Sequence, residues 1–272
     1  MSEAKSAGVL SLLKRELILA GLKRGEREDG RKLDEFRNIE VITGYVGKAE
    51  GSALVKVGDT KVLAGVKVDV GSPFPDTPEM GVQIVNAEFI PVASPVFEPG
   101  PPGEDAIELA RVIDRGLRSA EAVDLSSLVI VPGSKVWTIF IDIYPLDHYG
   151  NLIDASGLAA MAALLDTKIP SATMENGTLK ISEEKKPLPV NTRVVYVTVA
   201  KIDDYMILDP SFEEELAADA RVTYAINEDM NICGIQKGGS GAFKVKELLD
   251  ARDMALEAAP KLFEKLPPAG KA

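Results

Sequence analysis

An α+β fold, a sandwich of sheets and helices built in two successive halves, is predicted by three features of the sequence. Short β-branched runs recur in both parts of the chain, each part ends in a segment with apolar residues at helical spacing, and a polar stretch rich in Pro, Lys and Glu separates them at residues 170–192.

Taken in order, residues 10–24 (LSLLKRELILAGLKR) place Leu12, Leu13, Ile18, Leu19 and Leu22 at helical spacing and predict an N-terminal amphipathic helix. GEREDGRKLDEF then reads as a polar turn. From Ile39 come the runs IEVIT, SALVKVG and TKVLAGVKVDV, the last two joined by a Gly58-Asp59 hairpin turn. QIVNAEFIPV predicts another strand, ended by the loop SPVFEPGPPGED, whose prolines and glycines do not belong in a sheet interior. A helix of about four turns opens near Glu104, where two acids favour the helix dipole. KVWTIFIDIYPL alternates as a strand, HYGN turns, and LIDASGLAAMAALLD gives a helix of small residues able to pack closely on a sheet. The second half offers RVVYVTVAKI, YMILD, RVTYAI and MNICGIQKG as strands, with an acidic stretch SFEEELAADA among them and a closing helix near 244–263.

Composition narrows the function. The 46% hydrophobic fraction supports a buried core in a chain of 272 residues. No run approaches the roughly 20 apolar residues of a membrane span, and MSEAKSAG lacks the layout of a signal peptide, so a cytoplasmic protein is expected. A single cysteine, Cys233, excludes an internal disulfide; a single histidine, His148, leaves no His/Cys cluster for zinc and argues against a hydrolase triad. No cofactor or metal is called for. The net charge of −11 repels polyanions at long range, so any nucleic-acid contact must come from a local patch of cations, or a basic partner must supply the field.

Three local features are candidates for function. Arg111, Arg115 and Arg118 are spaced by four and three, which puts three guanidinium groups on one helix side, suited to phosphate or carboxylate; the plainer alternative is a solvated face with Asp114–Arg118 and Glu108–Arg111 pairs. Asp209, Glu213, Glu214, Glu215 and Asp219 could hold Mg²⁺ or supply a general acid, or merely form the acidic start of a helix. The glycine loop KGGSGAF, residues 237–243, lacks the Lys-Ser/Thr ending of a phosphate loop and reads as a turn.

The order of these features resembles the RNase PH family, whose members shorten RNA from the 3′ end by phosphorolysis. REDGR at 27–31 with GSALVKVGDTKVLAGV is similar to the family's opening, EDAIELARVIDRGLRSA to its arginine-bearing helix, and the late acidic stretch to the segment with its catalytic aspartates. The likeness runs from about residue 27 to 260, and FEPGPPGEDAIELARVIDR with GIQKGG resembles the non-catalytic RNase PH-like chain of the archaeal exosome. It implies a fold of two pseudo-symmetric β-α halves. We therefore divide the chain into an N-terminal helix (1–26), a first half (27–169), a connection (170–192) and a second half (193–272).

The resemblance also implies where chemistry should be. Family enzymes carry a phosphate-binding arginine where this chain has Asp105, Thr-Arg where it has Gly150 and Asn151, and two aspartates six residues apart where it has Glu215 and Arg221. An acid at the first position repels phosphate, and a guanidinium at the last cannot act as an acid at physiological pH. What the resemblance implies is a chain without catalytic residues that pairs with a catalytic RNase PH-like partner, three pairs to a ring. It would contact single-stranded RNA through Arg111, Arg115 and Arg118 and work with S1- or KH-type cap subunits. The rival expectation is an active phosphorolytic exoribonuclease whose acid work has moved to Glu214, Glu215 or Asp219.

Overall fold

The computed structural model describes residues 13–175 and 178–268. Its first sheet contains β1 (Ile39–Thr43), β2 (Gly51–Val57), β3 (Thr60–Gly71), β4 (Val82–Ala87), β5 (Val129–Val131) and β6 (Lys135–Asp147). The strand order is β1-β2-β3-β6-β4, with β5 beside the start of β6; only β4 runs parallel to its neighbour. A separate hairpin, β7 (Lys168–Glu175) with β8 (Thr178–Pro187), leads to the second sheet. That sheet is antiparallel throughout, β10-β9-β11-β12, from β9 (Val194–Ile202), β10 (Tyr205–Leu208), β11 (Ala220–Asn227) and β12 (Ile232–Gly238).

Among the described residues five α-helices complete the sandwich: α1 (residues 13–22), α2 (Glu104–Ser119), α3 (Leu152–Asp166), α4 (Phe212–Ala217) and α5 (Val245–Phe263). The small-residue pattern of α3 has its reason here, because α3 packs on β2, β3 and β6 from one side and on β9 from the other. Each residue from Leu152 to Leu164 is buried. Tyr196 on β9 fills the space between the two central helices: a Cβ added at Gly157 of α3 would lie 2.1 Å from its ring, and one at Gly116 of α2 2.3 Å from its hydroxyl oxygen. Tyr196 Oη donates to the Ile113 carbonyl at 2.6 Å, which satisfies the one polar atom of this buried ring. On the opposite face of the sheet, α5 lays Ala251, Ala255, Ala258 and Leu262 against β9 and β11.

The amphipathic N-terminal segment docks on the edge of the second sheet, where Leu22 is buried with Ile202 and Ile207 and flanked by Ile18 and Leu19. Leu12 and the residues before it lie outside the described residues. Burial of one such leucine contributes about 1.5–3 kcal/mol.

One expectation changes. The strand expected over QIVNAEFIPV stops at Ala87: Glu88 N still donates to the Ile143 carbonyl, but the chain then turns through Ile90–Ala93, where Pro91 offers no donor for a further rung. Within the 170–192 connection, β7 and β8 pair with each other across most of the stretch. Its charged composition belongs to a hairpin with exposed faces.

Candidate functional site

Asp105, Glu215 and Arg221 come from three separate elements, the start of α2, the middle of α4 and the start of β11, yet they line a single cleft of about 340 Å³. Phe89, Phe97, His148 and Phe212 form its aromatic wall, with Phe97 stacked on His148 at 5.4 Å and Phe212 edge-on to it at 5.0 Å. Asn151 stands next to the cleft as the N-cap of α3, in a left-handed conformation with φ 52, and its backbone N–H donates to Glu215 Oε1 at 2.9 Å. Asp105, Asn151, Glu215 and Arg221 thus come together around one place.

The charge there is the wrong sign for binding phosphate. Asp105, Glu108 and Glu215 face a single cation, Arg221. That cation is engaged, since Arg221 Nη2 donates to Glu108 Oε2 at 3.3 Å while Gln236 Nε2 donates to Glu108 Oε1 at 2.9 Å. Burial pushes the Glu215 carboxyl up to about 7, and burial together with the neighbouring Arg37 charge holds the His148 imidazole below its ordinary value. A phosphate dianion entering this cleft meets carboxylates and a neutral imidazole.

The late acidic stretch is dispersed. Glu213 approaches Lys14 on the surface, Asp219 pairs with Arg15, and Glu215 turns to the cleft. Glu214 closes a capping box with Ser211 and receives the buried Arg27 Nε at 2.8 Å. Asp209, fully buried and itself left-handed with φ 46, accepts from Arg37 Nη2 at 2.7 Å, Arg31 Nη1 at 3.0 Å and Asn151 Nδ2 at 2.8 Å. Burial alone would raise its carboxyl, but the Arg37 guanidinium overrides this and holds it below the ordinary range. Asn151 Nδ2 also donates to Asp154 at 2.8 Å; Asp154 accepts from the Thr198 hydroxyl at 2.7 Å, and its burial raises it to about 7. Arg27 and Arg31 are the ends of the REDGR motif, whose spacing assigns them no role; Arg37 is not legible in the sequence at all, because nothing near it in the chain announces a partner in residue 209.

The helix arginines differ among themselves. Arg118 is committed within the chain, its Nε donating to Asp114 at 2.8 Å and its Nη2 to the Gln83 carbonyl. Glu108 is turned to Arg221 and Gln236, so the expected Glu108–Arg111 pair is absent. Arg111 and Arg115 are exposed, and neither makes an ion pair or side-chain hydrogen bond among the described residues. They present two open guanidinium groups one turn apart on a strongly acidic protein.

Comparison with known proteins agrees with this geometry. Residues 35–170 match the profile of the 3′ exoribonuclease family, domain 1, and residues 192–258 that of domain 2. The exosome complex component Rrp42 of Sulfurisphaera tokodaii is 52% identical over 260 residues, covering 95% of this chain and 94% of the relative. Among solved structures, a chain of the Archaeoglobus fulgidus exosome with RNA bound to the active site superposes with a TM-score of 0.88 at 49% identity, over 94% of this chain and 99% of that one. A chain of an archaeal exosome core gives a TM-score of 0.84 at 46% identity, over 94% and 97%. With both domain profiles matched in order and relatives alike over nearly their whole length, the chain belongs to the 3′ exoribonuclease family of RNase PH-like proteins.

Proposed function

We propose that this chain is the non-catalytic RNase PH-like subunit of an archaeal exosome, working in the cytoplasm. It pairs with a catalytic chain of the same fold, and three such pairs close a ring that takes single-stranded RNA and carries S1- or KH-type cap subunits. One observation carries the reading: the cleft at the family's active-site positions holds Asp105, Glu108 and Glu215 around an Arg221 already bound to Glu108. Phosphorolysis needs positive charge placed about the attacking phosphate and the phosphate being transferred, and this cleft offers the reverse. The likeness to exosome components, one solved with RNA at the active site, supports the assembly and the substrate.

Arg111 and Arg115 supply the contact with RNA, because they are the α2 arginines that make no ion pair or side-chain hydrogen bond among the described residues; Arg118 steadies the end of that helix. Two backbone contacts of this kind bind RNA without sequence preference and weaken with salt. The test mixes the purified chain with a catalytic RNase PH-like partner and follows nucleoside diphosphate release from a 3′-labelled, unstructured RNA in phosphate buffer. The expected result is no release by this chain alone and release by the pair above that of the partner by itself. Robust phosphate-dependent decay by partner-free protein would establish the active-enzyme alternative.

A further inference from the structure

The loop between the end of β4 and the first turn of α2 encloses a hollow of about 620 Å³ that adjoins the site cleft, the two sharing Phe89, Val96, Phe97 and Asp105. Its shape is preset. Pro91, Pro99, Pro101 and Pro102 line it, each with a fixed φ, and His148 N ties the loop to the body by donating to the Ala93 carbonyl at 3.0 Å. Where the hollow meets the cleft runs a row of rings: Phe89 stacks on Phe97 at 4.6 Å, Phe97 on His148 at 5.4 Å, and Phe212 meets His148 edge-on at 5.0 Å. All four rings are half-buried, so the row is a wall open on one side rather than part of the closed core. Val96 and Leu216, 63% and 64% exposed, flank it.

The charge along this groove is of one sign. Glu98, Glu104 and Asp105 are exposed on its lining and make no ion pair or side-chain hydrogen bond among the described residues. Glu215 accepts the Asn151 amide on Oε1, while its Oε2 receives no donor among the described residues. Arg221, the one cation lining either hollow, is already held by Glu108. Among the described residues no three acidic or imidazole side chains are placed to hold a metal ion. The carboxylates are instead spread along aromatic and aliphatic surface, which suits cations carried on methylene stems rather than a bare ion. A guanidinium satisfies both kinds of surface, because its planar face lies on a ring while its N–H donors fork onto a carboxylate.

We infer that this groove is a docking site for an extended, arginine-bearing segment of a protein partner, with one guanidinium on the Phe97–His148 wall against Asp105 and Glu215 and further basic side chains meeting Glu98 and Glu104 along the loop. The inference goes beyond the proposed function and does not depend on it: a cleft whose charge repels phosphate attracts a cation. Charge complementarity selects the occupant. An apolar segment would desolvate the carboxylates without giving them a partner, and RNA would bring phosphates against them. In an extended segment alternate side chains point the same way, so basic residues two apart present their charges to one side of the groove. A loop already shaped by its prolines loses little freedom when such a segment binds.

The experiment titrates the full-length chain, at physiological ionic strength, with a short peptide of arginines at alternate positions separated by serines, and with the same peptide carrying citrulline, the uncharged counterpart, in place of arginine. The arginine peptide should bind in the micromolar range, and the citrulline peptide about tenfold or more weaker. The double variant Glu98→Gln/Asp105→Asn changes two exposed side chains and should cost about the same factor, whereas Glu183→Gln/Glu257→Gln, which removes equal charge from the exposed faces of β8 and α5, should leave binding unchanged. Phe97→Leu keeps an apolar side chain but removes the ring face, and should weaken the arginine peptide; the carboxylate variants decide the matter if it does not fold. Absence of binding overturns the inference, as does an equal loss in the remote control, which would mean general attraction to an acidic protein. Spermidine that binds as tightly and is lost in the same variants would assign the groove to a small polyamine, and a single-stranded RNA that displaces the peptide would assign it to nucleic acid; either overturns the docking of a polypeptide. Partner-dependent RNA decay is read separately, so the proposed function stands or falls on its own test.

Discussion

Two polar clusters built from the same stretch of chain, residues 209–221, have opposite characters. In the first, Asp209 and Glu214 are buried and met by Arg27, Arg31 and Arg37 from the segment that leads into β1. In the second, Glu215 and Arg221 open to a cleft where carboxylates outnumber cations. The closed cluster ties the N-terminal segment, the start of α3 through Asn151 and the second sheet into one body. The open one is a cleft in which Asp105, Glu108 and Glu215 surround one guanidinium. The difference teaches that a framework persists where every charge has a partner whose removal is costly, whereas an exposed site can change sign with little effect on stability.

Several measurements can break or sharpen that contrast. The largest effect is expected from Arg27→Leu, which leaves the buried Glu214 carboxylate without its guanidinium; a loss of about 3–5 kcal/mol in urea unfolding is expected. A loss under about 1 kcal/mol would mean that water reaches Glu214 and that the cluster is not closed. Asp154→Ala removes the acceptor for Thr198 Oγ1, Thr198 N and Asn151 Nδ2, and should cost about 1–3 kcal/mol.

Acidity separates the clusters further. The Asp209 carboxyl is depressed in the folded chain, so its contribution is present above its unfolded value and is lost as pH falls through the acid range. Glu215 is raised to about 7, so its cost is absent below its unfolded value near 4.5 and grows as pH rises toward 7. Glu215→Gln should therefore reduce the fall in stability across that window, with the remainder due to Asp154, whose burial also raises it to about 7, and leave the acid limb unchanged. An unaltered profile would show that Glu215 is solvated and titrates normally.

The smallest stability effects belong to the arginine face. Arg118→Ala should cost under about 1 kcal/mol, since its ion pair with Asp114 is partly exposed. Arg111→Ala and Arg115→Ala should leave thermal unfolding unchanged, and each should reduce the salt slope of RNA binding by the assembled complex by roughly 0.7. An unchanged slope would assign these arginines to protein contacts instead.

Much of the fold was legible because local pattern dictates it. α3 occupies the whole of LIDASGLAAMAALLD, and Gly58, with φ +57, turns the β2–β3 hairpin where the Gly-Asp pair placed it. β5 escaped notice because three residues carry no period, and β4 ended early because the chain turns away through Ile90–Ala93 although its partner β6 runs on to Asp147. The site was legible only in part. The family motifs identified Asp105, Asn151, Glu215 and Arg221, but nothing in the acidic stretch told its members apart, although the fold sends Asp209 inward, Glu215 to the cleft and Asp219 to the surface.

The sequence by itself determined where most of the strands and helices run and which family pattern they follow, since these depend on residue type and spacing along the chain. Only the tertiary structure decided which charges remain available. Arg118 is taken by Asp114 and Gln83, Arg221 by a glutamate 113 residues away, and Asp209 by arginines more than 170 positions earlier, while Arg111 and Arg115 are left free. The physical reason is that an ion pair is fixed by distance in space and by the water it displaces, and neither is written in periodicity or composition.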